Sequence, residues 1–169
     1  MEGDLNFKLK IHAQTIADLW REQCSLHTEL FELRCDEYMH LLASDLEKLD
    51  LAIEEKSLLI DKINQLEDRR KLCLQEVNLL RNGQASIQKL GELLLYLNEQ
   101  GLNNESDRIE KLNLVLLDIV EKIQEQNKKN QVFLNKALLS LKELKNSFGG
   151  GKTYETYGSN GVARNSMAK

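Results

Sequence analysis

The sequence predicts an all-α protein: an elongated antiparallel helical bundle or coiled coil of two long helices and a shorter one, followed by a disordered C-terminal tail. Three observations predict it: 169 residues without a single proline, 33 leucines, and only 5% aromatic residues. An average chain of this length carries about eight prolines, and proline is the residue that most firmly interrupts a helix interior. With 30% charged residues the chain is polar, and its longest apolar run, 93–97, is far short of the roughly 20 residues that span a bilayer, so no transmembrane helix is expected.

Helical spacing begins near residue 13 and continues to residue 80. Its clearest stretch is Leu59, Ile63, Leu66, Arg70, Cys73, Val77 and Leu80, with steps alternating between four and three. Upstream, Leu42, Leu46, Leu49, Ile53, Lys56, Ile60 and Ile63 keep the same alternation, which makes coiled-coil-like packing the natural expectation. Lys56 and Arg70 interrupt the seam; their stems can cover apolar surface, or their heads can pair with facing carboxylates. An unbroken rod over residues 13–80 would measure about 100 Å, so a bend or a projecting hairpin is expected. Asn82-Gly83 suits a left-handed cap or tight turn. A short helix is expected over 85–98, with Ile87, Leu90, Leu94 and Leu97 on one face. A second break spans 99–104, and Asn104 with Asp107 reads as a capping-box start. The last helix carries Ile109, Leu112, Leu116, Ile119, Ile123, Gln126, Asn130, Phe133, Ala137 and Leu141 on one face and ends with Leu144 and Phe148.

After Phe148 the composition changes to Gly149-Gly150-Gly151 and a polar end, which reads as a flexible tail. Residues 149–169 hold three bases and one acid, against 20 bases and 26 acids in the body. The expected organisation is therefore a helical domain over 1–148 and a glycine-rich tail over 149–169.

Charge and cysteine content narrow the function. A net charge of −4 argues against nucleic acid, which asks for a basic face, and leaves protein partners as the better expectation. Arg69-Arg70-Lys71 is too short for a nucleic-acid patch and is offset by Glu67 and Asp68. Polar faces that carry Glu as often as Lys do not suit anionic lipid. The acidic start, Met1-Glu2-Gly3-Asp4, lacks the features of a secretory signal, so a cytoplasmic location is expected. Cys24, Cys35 and Cys73 lack CxxC spacing and read as reduced helix residues.

Catalytic chemistry finds little support. Gly151-Lys152-Thr153 mimics the end of a phosphate loop, but the required first glycine is Asn146 and the segment follows a helix rather than a strand. Glu37 and His40 form an E-x-x-H pair, the spacing by which helical bundles supply metal ligands. His12 and His27 follow Leu9 and Cys24 at that spacing, so no second copy exists. No oxyanion cradle for a Ser or Cys hydrolase is apparent. The expectation is a non-enzyme with no cofactor and no metal.

Two features rise above that background. In the last helix Phe133, Leu134, Ala137, Leu138, Leu141, Leu144 and Phe148 span more than one seam, so part of the arc can face the bundle while another part stays open to a partner helix; a wider intramolecular core is the alternative. In the tail, Tyr154 and Tyr157 are aromatics with no local core, and such residues are credible docking anchors.

With these residues assembled, the chain resembles the FlgN family of flagellar type III export chaperones. One block of likeness runs from Ala52-Ile53-Glu54-Glu55-Lys56 to Leu66-Glu67-Asp68-Arg69-Arg70, similar to the family's Lys-centred helix with its Leu-x-x-x-Arg-type ending. The other is residues 130–144 followed, across a glycine stretch, by Thr156-Tyr157-Gly158-Ser159-Asn160-Gly161, similar to a terminal Tyr-Gly-x-x-Gly signature. The resemblance implies a cytosolic chaperone that holds the hook-filament junction proteins FlgK and FlgL through their C-terminal helices and docks at the export gate protein FlhA through a tail tyrosine. That tyrosine would be Tyr157, which precedes Gly158 and Gly161, with Tyr154, followed by Glu155, as the other candidate. The cargo surface would fall on residues 133–148. A homodimer is compatible with the seams. The alternative reading is a structural coiled-coil subunit or adaptor with no export cargo.

Overall fold

A computed structural model of the chain describes residues 2–149, with side chains from residue 3, together with the backbone of Thr156–Tyr157 and Ala163–Arg164. Helix α1 spans Glu2–Ala43, α2 Leu46–Leu80, α3 Leu90–Glu99 and α4 Asn103–Gly149. Internal contacts divide the chain into two units, Met1–Asn130 and Gln131–Lys169, with the division falling inside α4.

In the first unit, the bend expected between residues 13 and 80 is a two-residue turn. Ser44 adopts a left-handed φ of 54°, and Asp45 caps α2 by accepting a hydrogen bond from the backbone N–H of Lys48 at 3.2 Å. That N–H is the main reason the Asp45 carboxyl titrates below its usual range. The long stretch thus becomes an antiparallel hairpin, and the described residues hold three long helices and one short one. Glu37 meets Lys56, Gln23 donates to the Ile63 carbonyl, and His12 meets Cys73 across it.

The seam over 59–80 is buried or half-buried at every position named for it. Upstream the stripe differs from expectation: Leu46, Ile53 and Ile60 are exposed, and Ala52 is buried in their place. The stripe facing α1 continues through Leu49, Ala52, Lys56 and Leu59, because unbroken four-and-three spacing from Leu59 reaches residue 52, not 53. The small methyl of Ala52 also suits close approach near the turn. Helix α1 is buried on a broad arc, with Leu9, Ala13, Ile16, Ala17, Leu19 and Trp20 in the core beside Leu66, Cys73, Val77, Leu97 and Ile109.

Helix α2 ends where Asn82 and Gly83 both take positive φ, as the Asn-Gly pair predicts. The short helix, however, begins five residues later than the apolar spacing indicates. The Asn78 carboxamide accepts from the Ile87 N–H at 2.8 Å and donates to the Ile87 carbonyl at 3.0 Å. These bonds hold residue 87 out of the helix and seat its side chain in the core. Asn78→Ala leaves both backbone groups without these partners and is expected to destabilise the unit by about 1–3 kcal/mol, measurable by urea denaturation.

The Glu92 carboxylate, three residues past the cap, accepts from the Gln88 and Lys89 backbone N–H groups at 2.9 and 3.1 Å, and those bonds lower its pKa. A carboxyl whose folded pKa lies below the unfolded value, about 4.3, contributes stability that is fully present above that value and lost as pH falls through the folded one. The stability advantage of wild type over Glu92→Gln is therefore expected to be constant from pH 7 to about 5 and to shrink below about pH 4. Denaturant titrations across that range check it.

Helix α3 closes with Gly101 at φ 76° and a Leu102 N–H to Leu97 carbonyl bond of 2.8 Å, a Schellman-type end. Helix α4 already begins at Asn103, so Asn104 and Asp107 lie inside the helix rather than forming its cap. It runs alongside α1, with Arg108 bound to Asp18 at 2.8 Å and the Cys24 thiol donating to the Leu112 carbonyl at 3.4 Å. The polar members of its seam are explained by mutual satisfaction. Buried Gln126 donates its Nε2 to the Asn130 side-chain oxygen Oδ1, and Asn130 Nδ2 donates to the Arg34 backbone carbonyl.

In the second unit, α4 continues to Gly149, and β1 (Thr156–Tyr157) pairs antiparallel with β2 (Ala163–Arg164), Tyr157 opposite Ala163.

Candidate functional site

The seven residues singled out on the last helix occupy one arc of about 140° when projected at 3.6 residues per turn. Phe133 and Ala137 are half-buried, whereas Leu134, Leu138, Leu141, Leu144 and Phe148 are exposed. Exposure reaches 63% at Leu138, 62% at Leu141 and 89% at Phe148. From residue 138 onward every apolar position of this arc is exposed. Val132 and Leu139 are also exposed apolar residues, missed because they lie on the other side of the helix, outside the stripe. Lys136 and Lys142 project about 60° and about 40° outside the two margins of the arc, Lys145 falls inside it between Leu134 and Leu138, and Glu143 is the sole acid of the segment.

The Tyr-Gly-x-x-Gly segment is only partly within the described residues. Tyr157 lies on β1; Tyr154, Gly158 and Gly161 fall outside them.

The Glu37/His40 pair does not form a ligand set. The Glu37 side chain is 5% exposed and occupied by two cations, Lys56 Nζ at 2.6 Å and Arg34 at 2.8 Å. This is the facing carboxylate that a lysine in the seam requires. Arg70, the other seam cation, is held differently: it grips Glu67 one turn back at 2.5 and 2.7 Å and lies 5.0 Å over the Trp20 ring. The Arg70 hydrogen bonds, opposed by burial, set the Glu67 carboxyl below its ordinary value.

All three cysteines are free. Burial raises their pKa values, Cys73 to about 11, so their thiols are poor nucleophiles at neutral pH. Among the described residues one group of three metal-type donors does converge: His12, Cys73 and Glu76. Cys73-x-x-Glu76 was legible as a pair one helical turn apart, but its partner lies 61 residues upstream.

Fold and site together define a class: a predominantly helical protein that presents an apolar helix face, in which no helix of the described residues is long and apolar enough to cross a membrane. The family model FlgN, described as FlgN protein, matches residues 8–165, nearly the whole chain. The chain belongs to the FlgN family, a family of flagellar export chaperones. No curated protein and no solved structure gives a significant match.

Proposed function

We propose that this chaperone holds hook-filament junction proteins of the FlgK and FlgL type through their C-terminal helices and delivers them to an FlhA-type export gate. The observation that carries the reading is the exposed apolar arc of α4 from Leu134 to Phe148, flanked by lysines. A cargo terminus built of amphipathic helix tends to self-associate, and a complementary apolar stripe covers it and prevents premature polymerisation. Holding rather than catalysis is the activity this surface serves, and it belongs in the cytoplasm, before export.

Labour is divided between the helical part, 1–148, and the tail, 149–169. Tyr157, nine residues beyond Phe148, is the gate anchor, with Gly158 and Gly161 as its neighbours and Tyr154 as the alternative anchor. Linking two recognition elements raises the local concentration of cargo at the gate without a second rigid interface.

The test compares two variants for binding of a junction-protein C-terminal peptide and of the gate's cytoplasmic domain. Deletion of residues 150–169 is expected to preserve peptide affinity within about twofold, while Tyr157→Ala is expected to lose gate binding by tenfold or more. Loss of cargo capture on deleting the tail overturns the division. A tight, concentration-independent oligomer that takes up neither ligand favours a structural coiled-coil subunit instead.

A further inference from the structure

Three side chains far apart in the sequence meet where α1 passes α2. His12 Nδ1 lies 3.2 Å from a Glu76 carboxylate oxygen and 3.8 Å from Cys73 Sγ, and the three donor atoms all fall within 4.8 Å of one another. In a tetrahedral zinc site, bonds of about 2.3 Å to sulfur and about 2.0–2.1 Å to nitrogen and oxygen separate neighbouring donors by about 3.4–3.6 Å. The two separations from His12 are close to those edges and the third, between Cys73 and Glu76, is within 4.8 Å, so small side-chain movements bring the three donors to three corners of a tetrahedron with both helix backbones in place.

The donor chemistry narrows the ion. Imidazole, thiolate and carboxylate suit zinc and its transition-metal neighbours, whereas magnesium and calcium take oxygen. Thiolate and carboxylate together neutralise a divalent ion, which matters beside a buried sulfur. The Glu76 side chain is 58% exposed, which leaves an entry path and room for water as a fourth ligand. Cys73 and Glu76 are one turn apart and share a face of α2.

We propose that His12, Cys73 and Glu76 form a binding site for one zinc-class divalent ion that clasps α1 to α2. On binding, the Cys73 S–H bond breaks, its proton passes to solvent, and the sulfur lone pair forms the bond to the metal; no electron is transferred. The proton Cys73 otherwise shares with the His12 carbonyl, 3.6 Å away, is the one released. The ion links two helices at positions 61 residues apart and stabilises their pairing by mass action.

The full chain, freed of metal by a chelator, is titrated with Co(II), whose bond to a thiolate gives a charge-transfer absorption that nitrogen and oxygen donors do not. One equivalent is expected to develop that absorption. It should vanish in Cys73→Ser and persist in the Cys24→Ser/Cys35→Ser double variant. In competition with a zinc indicator, His12→Ala and Glu76→Ala should each weaken zinc binding about tenfold or more. Absence of the thiolate band in wild type, or its survival in Cys73→Ser, overturns the assignment. Glu76 is exposed enough for its replacement to leave helicity unchanged by circular dichroism, so undiminished zinc affinity in Glu76→Ala overturns it even where Cys73→Ser does not fold.

Discussion

Replacing Leu138 and Leu141 together by aspartate is expected to weaken capture of a junction-protein C-terminal helix at least a hundredfold while leaving the chain's melting temperature unchanged. Both side chains are largely open in the free protein, so their replacement removes little that folding depends on. In a complex, each leucine that enters an apolar interface contributes about 1.5–3 kcal/mol by burial, and aspartate adds the cost of desolvating a charge there. Two such losses exceed the roughly 2.7 kcal/mol that separates a hundredfold in affinity. Leu114→Asp, at an exposed α4 position in the first unit, is the control and should bind normally. Fluorescence anisotropy with a labelled C-terminal peptide reads both. Equal affinity in the double variant would remove residues 133–148 as the cargo surface.

Leu97→Ala is expected to destabilise the protein by about 2–5 kcal/mol, the range for a leucine deleted from a packed core. Leu97 is wholly buried, with Leu93 and Tyr96 beside it, and its carbonyl also accepts the bond that closes α3. Leu95, two residues earlier in the same apolar run, is exposed, and Leu95→Ala should change stability by less than about 0.5 kcal/mol. Urea denaturation distinguishes the two: similar midpoints would mean that α3 does not dock as described.

Much of the architecture was legible because helix seams obey one period. The stripe from Leu59 to Leu80 and the α4 face from Ile109 to Asn130 coincide with burial nearly residue by residue. Where two apolar stripes lie side by side, the starting point of the count decides: counted back from Ile60 the spacing reaches Ile53, counted back from Leu59 it reaches Ala52, and Ala52 is the buried one. The start of α3 was illegible for another reason. Local propensity favours helix from residue 85, but a tertiary hydrogen-bond pair from Asn78 overrides it at Ile87. Of the candidate site, the apolar arc on α4 could be read from composition, and its exposure required the fold. The convergence of His12 with Cys73 and Glu76 depends on which faces of two antiparallel helices meet, information that no spacing along the chain contains.

The turn at Ser44-Asp45 has a consequence for how the molecule assembles. Two helices joined by two residues zip up from neighbouring positions at small loop-closure cost, so this arm is expected to form while the remainder is still being synthesised. Its other side must wait for contacts such as Asp18 to Arg108 and Cys24 to Leu112, separated by 90 and 88 residues. A nascent chain arrested just past residue 80 therefore displays the uncovered flank of α1 that carries Asp18 and Cys24, and during that interval a chaperone is itself a client for protection.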